Sequence, residues 1–161
     1  MVTSRSEYAE LQGRTVLIVD DQEDVAETLA DQLSTIGMEV AGIATCSGDA
    51  LAMVADLDPA LIILDIAMPE MDGIELAEKI NAEEPRPIIF LSAHSNKEYI
   101  TRASRTGVIN YLVKPVSIES LVPTIVMTLS RFGDIATLRA TVDEIREDMD
   151  TSEQIERAAD G

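Results

Sequence analysis

Short runs of consecutive apolar residues alternate with amphipathic stretches along this chain. Runs of four or five apolar residues suit strands buried on both faces of a parallel sheet. Strands are predicted on this basis at residues 15–19, 61–64, 87–91 and 109–113, with a weaker strand at 38–44. Five strands that alternate with helices over short connections predict an α/β fold, a doubly wound parallel sheet covered on both faces.

The stretches between the strands carry apolar residues at helical spacing. The first helix is closed by Gly37, and the second begins at Ser47 and ends near Asp58. The third is capped by Asp72, and the last core helix is capped by Ser117. The fourth, at 97–106, has only a thin apolar stripe. The inward residues expected for the four stronger helices are Val25, Leu29, Leu33 and Ile36; Ala50, Leu51, Val54 and Leu57; Leu76, Ala77 and Ile80; and Leu121, Val122, Ile125, Val126 and Leu129.

The pattern predicts three segments: a flexible N-terminal arm at 1–13, one domain at 14–132, and a C-terminal amphipathic helix at 133–161. The last segment places apolar residues every three and four positions, as in a coiled coil. Those residues are Ile135, Leu138, Val142, Ile145 and Met149. The segment therefore predicts a dimerising or linking coil, and the alternative is a single helix packed on its own domain.

Composition narrows the function classes. Twelve Lys and Arg against thirty Asp and Glu give a net charge of -18, which repels polyanions and argues against direct nucleic acid binding by these residues. No apolar run approaches the roughly 18 residues of a membrane span, and residues 1–14 lack a signal-peptide layout. We therefore expect a cytoplasmic location and no membrane contact. The single cysteine, Cys46, has no partner for an internal disulfide.

Chemically matched groups stand at the ends of four strands: Asp20 and Asp21, then Asp65, Ser92 and Lys114. In a parallel sheet these ends share one edge and can converge. Carboxylates about 4 Å apart repel by roughly 4 kcal/mol at an effective dielectric of 20, so a cation is needed to keep them ionised together. Oxygen ligands without His or Cys favour Mg²⁺. With an ammonium and a hydroxyl nearby, such a site can accept a phosphoryl group on a carboxylate.

These residues also stand in a known arrangement. Asp20-Asp21, the Leu-Asp-Ile-Ala-Met-Pro-Glu-Met-Asp-Gly segment at 64–73, Leu-Ser-Ala at 91–93 and Tyr-Leu-Val-Lys-Pro at 111–115 closely resemble the receiver domain of two-component response regulators. The resemblance covers about residues 14–132. It implies the flavodoxin-like (βα)5 fold with strand order 2-1-3-4-5, to which the apolar spacing after residue 133 adds the predicted C-terminal helical extension.

The resemblance implies a role for each site residue. Asp65 is the phosphoacceptor, phosphorylated by a histidine kinase or phosphotransfer protein and dephosphorylated by hydrolysis. Asp21, Asp65 and the backbone carbonyl of Ala67 hold Mg²⁺, and Asp20 acts through a bound water. Lys114 pairs with the acyl phosphate, and its bond to the following proline is cis. The protein is then mainly a signalling switch that hydrolyses its own aspartyl phosphate.

The switch residues are likewise implied by the resemblance. Ser92 moves toward the phosphate and Tyr111 turns inward, which couples the site to the surface of the fourth helix, fifth strand and fifth helix. That face, or the C-terminal helix, is a candidate homodimer contact. Ala67 and His94 lie two residues after the acceptor and after Ser92, positions that tune the phosphate lifetime in the family. For His94 we favour a half-exposed loop residue over a pH sensor.

Two other functions remain open from the sequence. Residues 130–132 and 154–161 resemble the linker and opening of an RNA-binding antiterminator output domain, which makes a truncated transcription antiterminator the main alternative. A haloacid-dehalogenase-type phosphatase also uses strand-end aspartates and Mg²⁺. That class needs Asp-x-Asp after the first strand, whereas Asp20 and Asp21 are adjacent.

Overall fold

The structure, a computed structural model, describes residue 9, residues 11–69, 72–93, residue 101 and residues 110–133. Five parallel strands form one sheet in the order β2-β1-β3-β4-β5, which confirms the predicted fold class and strand order. The strands are β1 (Thr15–Val19), β2 (Glu39–Ala44), β3 (Leu61–Asp65), β4 (Ile88–Ser92) and β5 (Tyr111–Val113). The helices are α1 (Glu23–Thr35), α2 (Ser47–Leu57), α3 (Gly73–Glu83) and α4 (residues 118–133).

Alternating strand residues divide the core into two layers. One face of the sheet packs Leu17, Ile62 and Phe90 in the same apolar cluster as residues of α2 and α3. The other face packs Ile18 and Ile63 in a cluster with residues of α1 and α4. Because strands β3 and β4 are buried along their whole length, both of their faces must be apolar, and this explains the unbroken apolar runs.

The helix termini follow the sequence signals. The Asp72 side chain accepts a hydrogen bond from the Glu75 amide at 2.8 Å, which confirms the predicted cap of α3. Ser117 accepts the first backbone hydrogen bond of α4, from the Leu121 amide at 2.9 Å. Gly37 has a φ of +94° just after α1, where a side chain would be strained.

Three sequence predictions require correction. Leu51 and Leu57 of α2 are 36% and 40% exposed, so they do not belong to the inner face, which consists of Ala50 and Val54. The flexible arm does not reach residue 13, because Leu11 is fully buried in the core. Strand β5 begins at Tyr111 and is shorter than predicted, since residue 110 is not in a strand and residue 109 lies outside the described part.

Some predictions fall outside the described residues: His94, nearly all of the helix at 97–106, and the C-terminal segment after residue 133. The chain divides into two compact units, Met1–Leu129 and Ser130–Gly161. The boundary between the domain at 14–132 and the helix at 133–161 stays a prediction. Among the described helices, none has the length and apolar character that crossing a membrane requires.

Candidate functional site

The predicted site residues lie at the carboxyl edge of the sheet. Asp20 directly follows β1, Asp65 is the last residue of β3, Ser92 is the last residue of β4, and Lys114 directly follows β5. The parallel pairing of these strands brings their ends to one edge. Ligands of open α/β sheets bind at this edge.

Three carboxylates converge there. One oxygen from each of Asp20, Asp21 and Asp65 lies within 4.8 Å of the others. Asp20 and Asp65 are buried, whereas Asp21 is exposed at the mouth of the cluster. This set of hard oxygen donors suits a divalent cation such as Mg²⁺.

The ammonium of Lys114 faces two of these acids. Its Nζ lies 2.9 Å from Asp20 Oδ2 and 3.3 Å from Asp65 Oδ2. The Lys114 backbone amide donates to the Ser92 carbonyl at 2.8 Å, which fixes the end of β5 against β4. The peptide bond between Lys114 and Pro115 is cis, as expected.

Burial sets the protonation behaviour of the site. The pKa of Asp65 is raised to about 6, chiefly by burial and also by the nearby Asp20 carboxylate, while the hydrogen bond from the Ala67 amide and the Lys114 ammonium act in the opposite direction. Burial lowers the pKa of Lys114, but the carboxylates of Asp20 and Asp65 outweigh it, so the net pKa lies above the usual value. Lys114 therefore stays charged, and Asp65 is mostly ionised at neutral pH.

One oxygen of the Asp20 carboxylate has no hydrogen bond among the described residues. Asp20 Oδ1 accepts a hydrogen bond from the Gln22 amide at 2.9 Å. Asp20 Oδ2 is buried and, within the described residues, forms its ion pair with Lys114 without a hydrogen bond. Buried carboxylate oxygens are rarely left without hydrogen bonds, so Asp20 Oδ2 has capacity for a further positive partner.

Comparison with known proteins identifies this arrangement. The family model of the response regulator receiver domain matches residues 16–126. The chain belongs to this family. It is 37% identical over 145 residues to the transcriptional regulatory protein PdtaR of Mycobacterium tuberculosis, a match that covers 90% of this chain and 71% of that protein. It is 36% identical over 104 residues to the chemotaxis protein CheY of Thermotoga maritima, covering 64% of this chain and 87% of CheY.

The solved structures agree with the receiver assignment. The signal receiver domain of a modulated diguanylate cyclase from Desulfovibrio desulfuricans superposes with a TM-score of 0.68 at 33% identity, covering 74% of this chain and 96% of that domain. A two-component response regulator from Clostridium difficile gives the same TM-score at 26% identity, with 74% and 98% covered. Membership in the receiver family excludes the haloacid-dehalogenase alternative.

The remaining predicted residues of the receiver lie around the cluster. The amide of Ala67 donates to Asp65 Oδ1 at 3.1 Å, and the Ala67 side chain is exposed. Ser92 is buried at the end of β4. Tyr111 is 42% exposed, so in this structure it occupies the outward position. The roles of these residues stay predictions.

One contact of the receiver site was missed at the sequence level. Gln22 Oε1 lies 3.3 Å from Lys114 Nζ, across 92 positions of the chain. The sequence feature that could have indicated this contact is the position of Gln22 directly after Asp20 and Asp21.

The turn after Asp65 depends on a glycine. The Gly73 amide donates to the Ile66 carbonyl at 2.8 Å, which brings the start of α3 back onto the end of β3. A Cβ at residue 73 would overlap the backbone carbonyl oxygen of Asp65. A side chain at this position would therefore displace the segment that carries the acceptor.

Proposed function

We propose that this receiver is a phosphorylation-controlled signalling switch that acts through protein contacts. Asp65 accepts a phosphoryl group from a histidine kinase or phosphotransfer protein in a Mg²⁺-dependent reaction. The observation that carries the proposal is the meeting of Asp20, Asp65 and Lys114, with the ammonium 2.9 Å and 3.3 Å from the two carboxylates.

The proposed step transfers phosphorus from nitrogen to oxygen. A carboxylate oxygen of Asp65 forms a bond to phosphorus while the bond from phosphorus to the donor histidine breaks, and the electron pair stays on that nitrogen. With a pKa of about 6, Asp65 is mostly in the nucleophilic carboxylate form at neutral pH. Bound Mg²⁺, held by Asp20, Asp21 and Asp65 with the Ala67 carbonyl, would offset negative charge on the phosphoryl oxygens.

Lys114 links the chemistry to the surface. Its ammonium already contacts the oxygen atom Oδ2 of Asp65, so a phosphoryl group on that carboxylate offers it a new anionic partner within reach. Ser92 can donate its hydroxyl to the same group. The outward Tyr111 can then turn inward, which changes the face formed by β5 and the helices beside it.

The acceptor is tested by small-molecule phosphorylation. Incubation with Mg²⁺ and phosphoramidate should add one acid-labile phosphate to the wild type and to Asp24→Asn, and none to Asp65→Asn. Asp24→Asn is the matched control, because Asp24 is an exposed aspartate at the start of α1. Mass spectrometry measures the added phosphate. Label that persists in Asp65→Asn would place the acceptor at another residue.

Coupling is tested at Lys114. Lys114→Ala should leave Mg²⁺ binding largely intact, because the carboxylates are unchanged, but it should uncouple phosphorylation from the surface change. Size measurement with and without beryllofluoride, a phosphate mimic, reports the response. A wild type whose oligomeric state changes, beside an unresponsive Lys114→Ala, supports the proposal. An equal response in both proteins would contradict it.

A second candidate is a receiver-controlled RNA-binding antiterminator. The match to PdtaR covers 90% of this chain, so it continues beyond the family match at residues 16–126. PdtaR is named as a transcriptional regulatory protein. The net charge of -18 favours the first candidate, because polyanions are repelled. Fluorescence anisotropy with an RNA hairpin, with and without phosphoramidate, distinguishes them: phosphorylation-dependent binding would favour the antiterminator.

A further inference from the structure

Gln22 contacts both members of the ion pair between Lys114, which is half-buried, and Asp20, which is buried. Its side-chain oxygen Oε1 accepts a hydrogen bond from Lys114 Nζ at 3.3 Å. Its backbone amide donates to Asp20 Oδ1 at 2.9 Å. Lys114 Nζ lies 2.9 Å from Asp20 Oδ2, so Gln22 contacts the ammonium and the carboxylate of one ion pair at the same time.

The position of Gln22 in the fold is unusual for its residue type. Gln22 is the N-cap of α1, with φ -92° and ψ 100°, and its side chain makes no capping hydrogen bond. Ser, Thr, Asp and Asn are preferred at N-caps because their short side chains reach the exposed amides. Here the longer side chain reaches Lys114 instead. A local rule that is broken beside a chemical site indicates that the residue serves the site.

The surroundings of the ammonium show what Gln22 supplies. Three side-chain oxygens lie near Lys114 Nζ, from Asp20, Asp65 and Gln22. Of these, the Asp65 and Gln22 oxygens accept hydrogen bonds. The two aspartates belong to the carboxylate cluster, whose interactions change when a cation binds or Asp65 is phosphorylated. The Gln22 amide is neutral and lies outside that cluster, so it can hold the ammonium throughout.

We propose that Gln22 is a positioning residue of the phosphoryl-transfer site, which holds Lys114 beside Asp65 through its side-chain amide oxygen. The inference rests on the proposed function, since Lys114 must meet the incoming phosphoryl oxygens. A neutral acceptor limits the directions in which the ammonium can point without adding charge to an already acidic cluster. Loss of this acceptor lets Lys114 turn toward water.

A second glutamine on the same helix provides a control. The Gln32 amide nitrogen donates to the Val116 carbonyl at 2.7 Å, so Gln32 anchors the backbone two residues after Lys114. Within the described part of the chain, the hydrogen bonds and ion pairs given for the ammonium and the carboxylates do not involve Gln32. Gln22→Met and Gln32→Met are thus matched substitutions of similar size, and only the first removes a hydrogen bond of Lys114.

The experiment compares both variants with the wild type under saturating Mg²⁺. Phosphoramidate is varied, and the rate of acid-labile phosphate formation gives a maximal rate and a KM. Gln22→Met should lower the maximal rate by roughly threefold to tenfold, the range expected for a partly exposed hydrogen bond to a charged group. KM and the Mg²⁺ affinity should change little. Gln32→Met, assayed below its unfolding temperature, should retain the wild-type rate.

A spectroscopic measurement tests the contact itself. The ¹³Cε resonance of Lys114, assigned by its loss in Lys114→Arg, should shift in Gln22→Met and stay in place in Gln32→Met. A wild-type rate in Gln22→Met, or an equal fall in both variants, would overturn the positioning role. If the wild type takes no phosphate, the proposed function fails, and an unshifted Lys114 resonance in Gln22→Met would refute the contact independently.

Discussion

Asp65 is 5% exposed, and its burial raises its pKa from 3.8 to about 6. Between about pH 4 and pH 6 the unfolded chain has released this proton while the folded protein still binds it. The folded state therefore binds more protons, and the contribution of Asp65 to stability falls as pH rises through this window. Above it, the ionised carboxylate costs up to about 3 kcal/mol of folding free energy.

Asp65→Asn should remove this cost. In Mg²⁺-free buffer we expect its unfolding free energy to exceed that of the wild type by up to about 3 kcal/mol at neutral pH, because the raised pKa of Asp65 already includes the attraction of Lys114 and so reports the net cost of the charge. The difference should shrink as pH falls from about 6 to about 4. Urea unfolding at several pH values measures it. A difference that is the same at every pH would show that Asp65 ionisation is not its cause.

At the scale of elements, the turn from β3 to α3 sets the position of the acceptor. Gly73→Ala should destabilise the protein by about 1 to 3 kcal/mol and slow phosphorylation of Asp65, because the new Cβ would overlap the Asp65 carbonyl. The matched control is Gly48→Ala in α2, where the added Cβ has no described atom within 4 Å apart from its own stretch of helix. Gly48→Ala should be stabilising by up to about 1 kcal/mol.

Thermal unfolding and the phosphoramidate assay check both glycine variants. Equal stability of Gly73→Ala and wild type, with an unchanged phosphorylation rate, would show that the turn tolerates a side chain. Stabilisation by Gly48→Ala together with loss by Gly73→Ala would trace the effect to the contact with Asp65 rather than to helix propensity.

The elements were largely predictable from sequence, because fully buried strands need apolar runs and helices need apolar spacing. The burial of particular side chains was less so. Helix α2 has apolar residues on several sides, and periodicity alone could not show that Leu51 and Leu57 face outward. Strand β2, which shares a core contact with α2, is at the edge of the sheet and leaves part of that helix uncovered.

The site was predictable from the sequence only in part. The convergence of Asp20, Asp65 and Lys114 followed from strand ends in a parallel sheet, and the strand order came from the family resemblance. The Gln22 contact did not follow, because a side-chain contact between the start of α1 and the end of β5 depends on a rotamer. The outward position of Tyr111 likewise is a conformational choice that the residue type does not decide.

At the scale of the whole molecule, the amino and carboxyl ends of the parallel strands carry different interactions. At the amino ends of the strands, opposite the site, the Arg86 side chain is only 12% exposed. It donates hydrogen bonds to Asp58 Oδ1 at 2.6 Å and to the Pro59 carbonyl at 3.3 Å. These contacts join the loop before β4 to the loop before β3. The carboxyl edge instead gathers like charges, which makes that edge the part whose stability responds to cations.

Salt can stabilise this protein, whose net charge is -18, in two ways that experiment can separate. Any salt screens repulsion across the surface, whereas a bound ion stabilises only the folded state that holds it. MgCl₂ should therefore raise the unfolding temperature of the wild type by more than NaCl at matched ionic strength.

Asp21→Asn should lose most of the additional Mg²⁺ effect, because it removes the exposed carboxylate of the cluster and leaves the ion pair of Asp20 and Lys114 in place. Asp24→Asn makes the same charge change outside the cluster and should keep that effect in full. Both variants should respond equally to NaCl. If Asp21→Asn and Asp24→Asn respond alike to MgCl₂ as well, the ion acts by screening alone, and the carboxylate cluster is not a binding site.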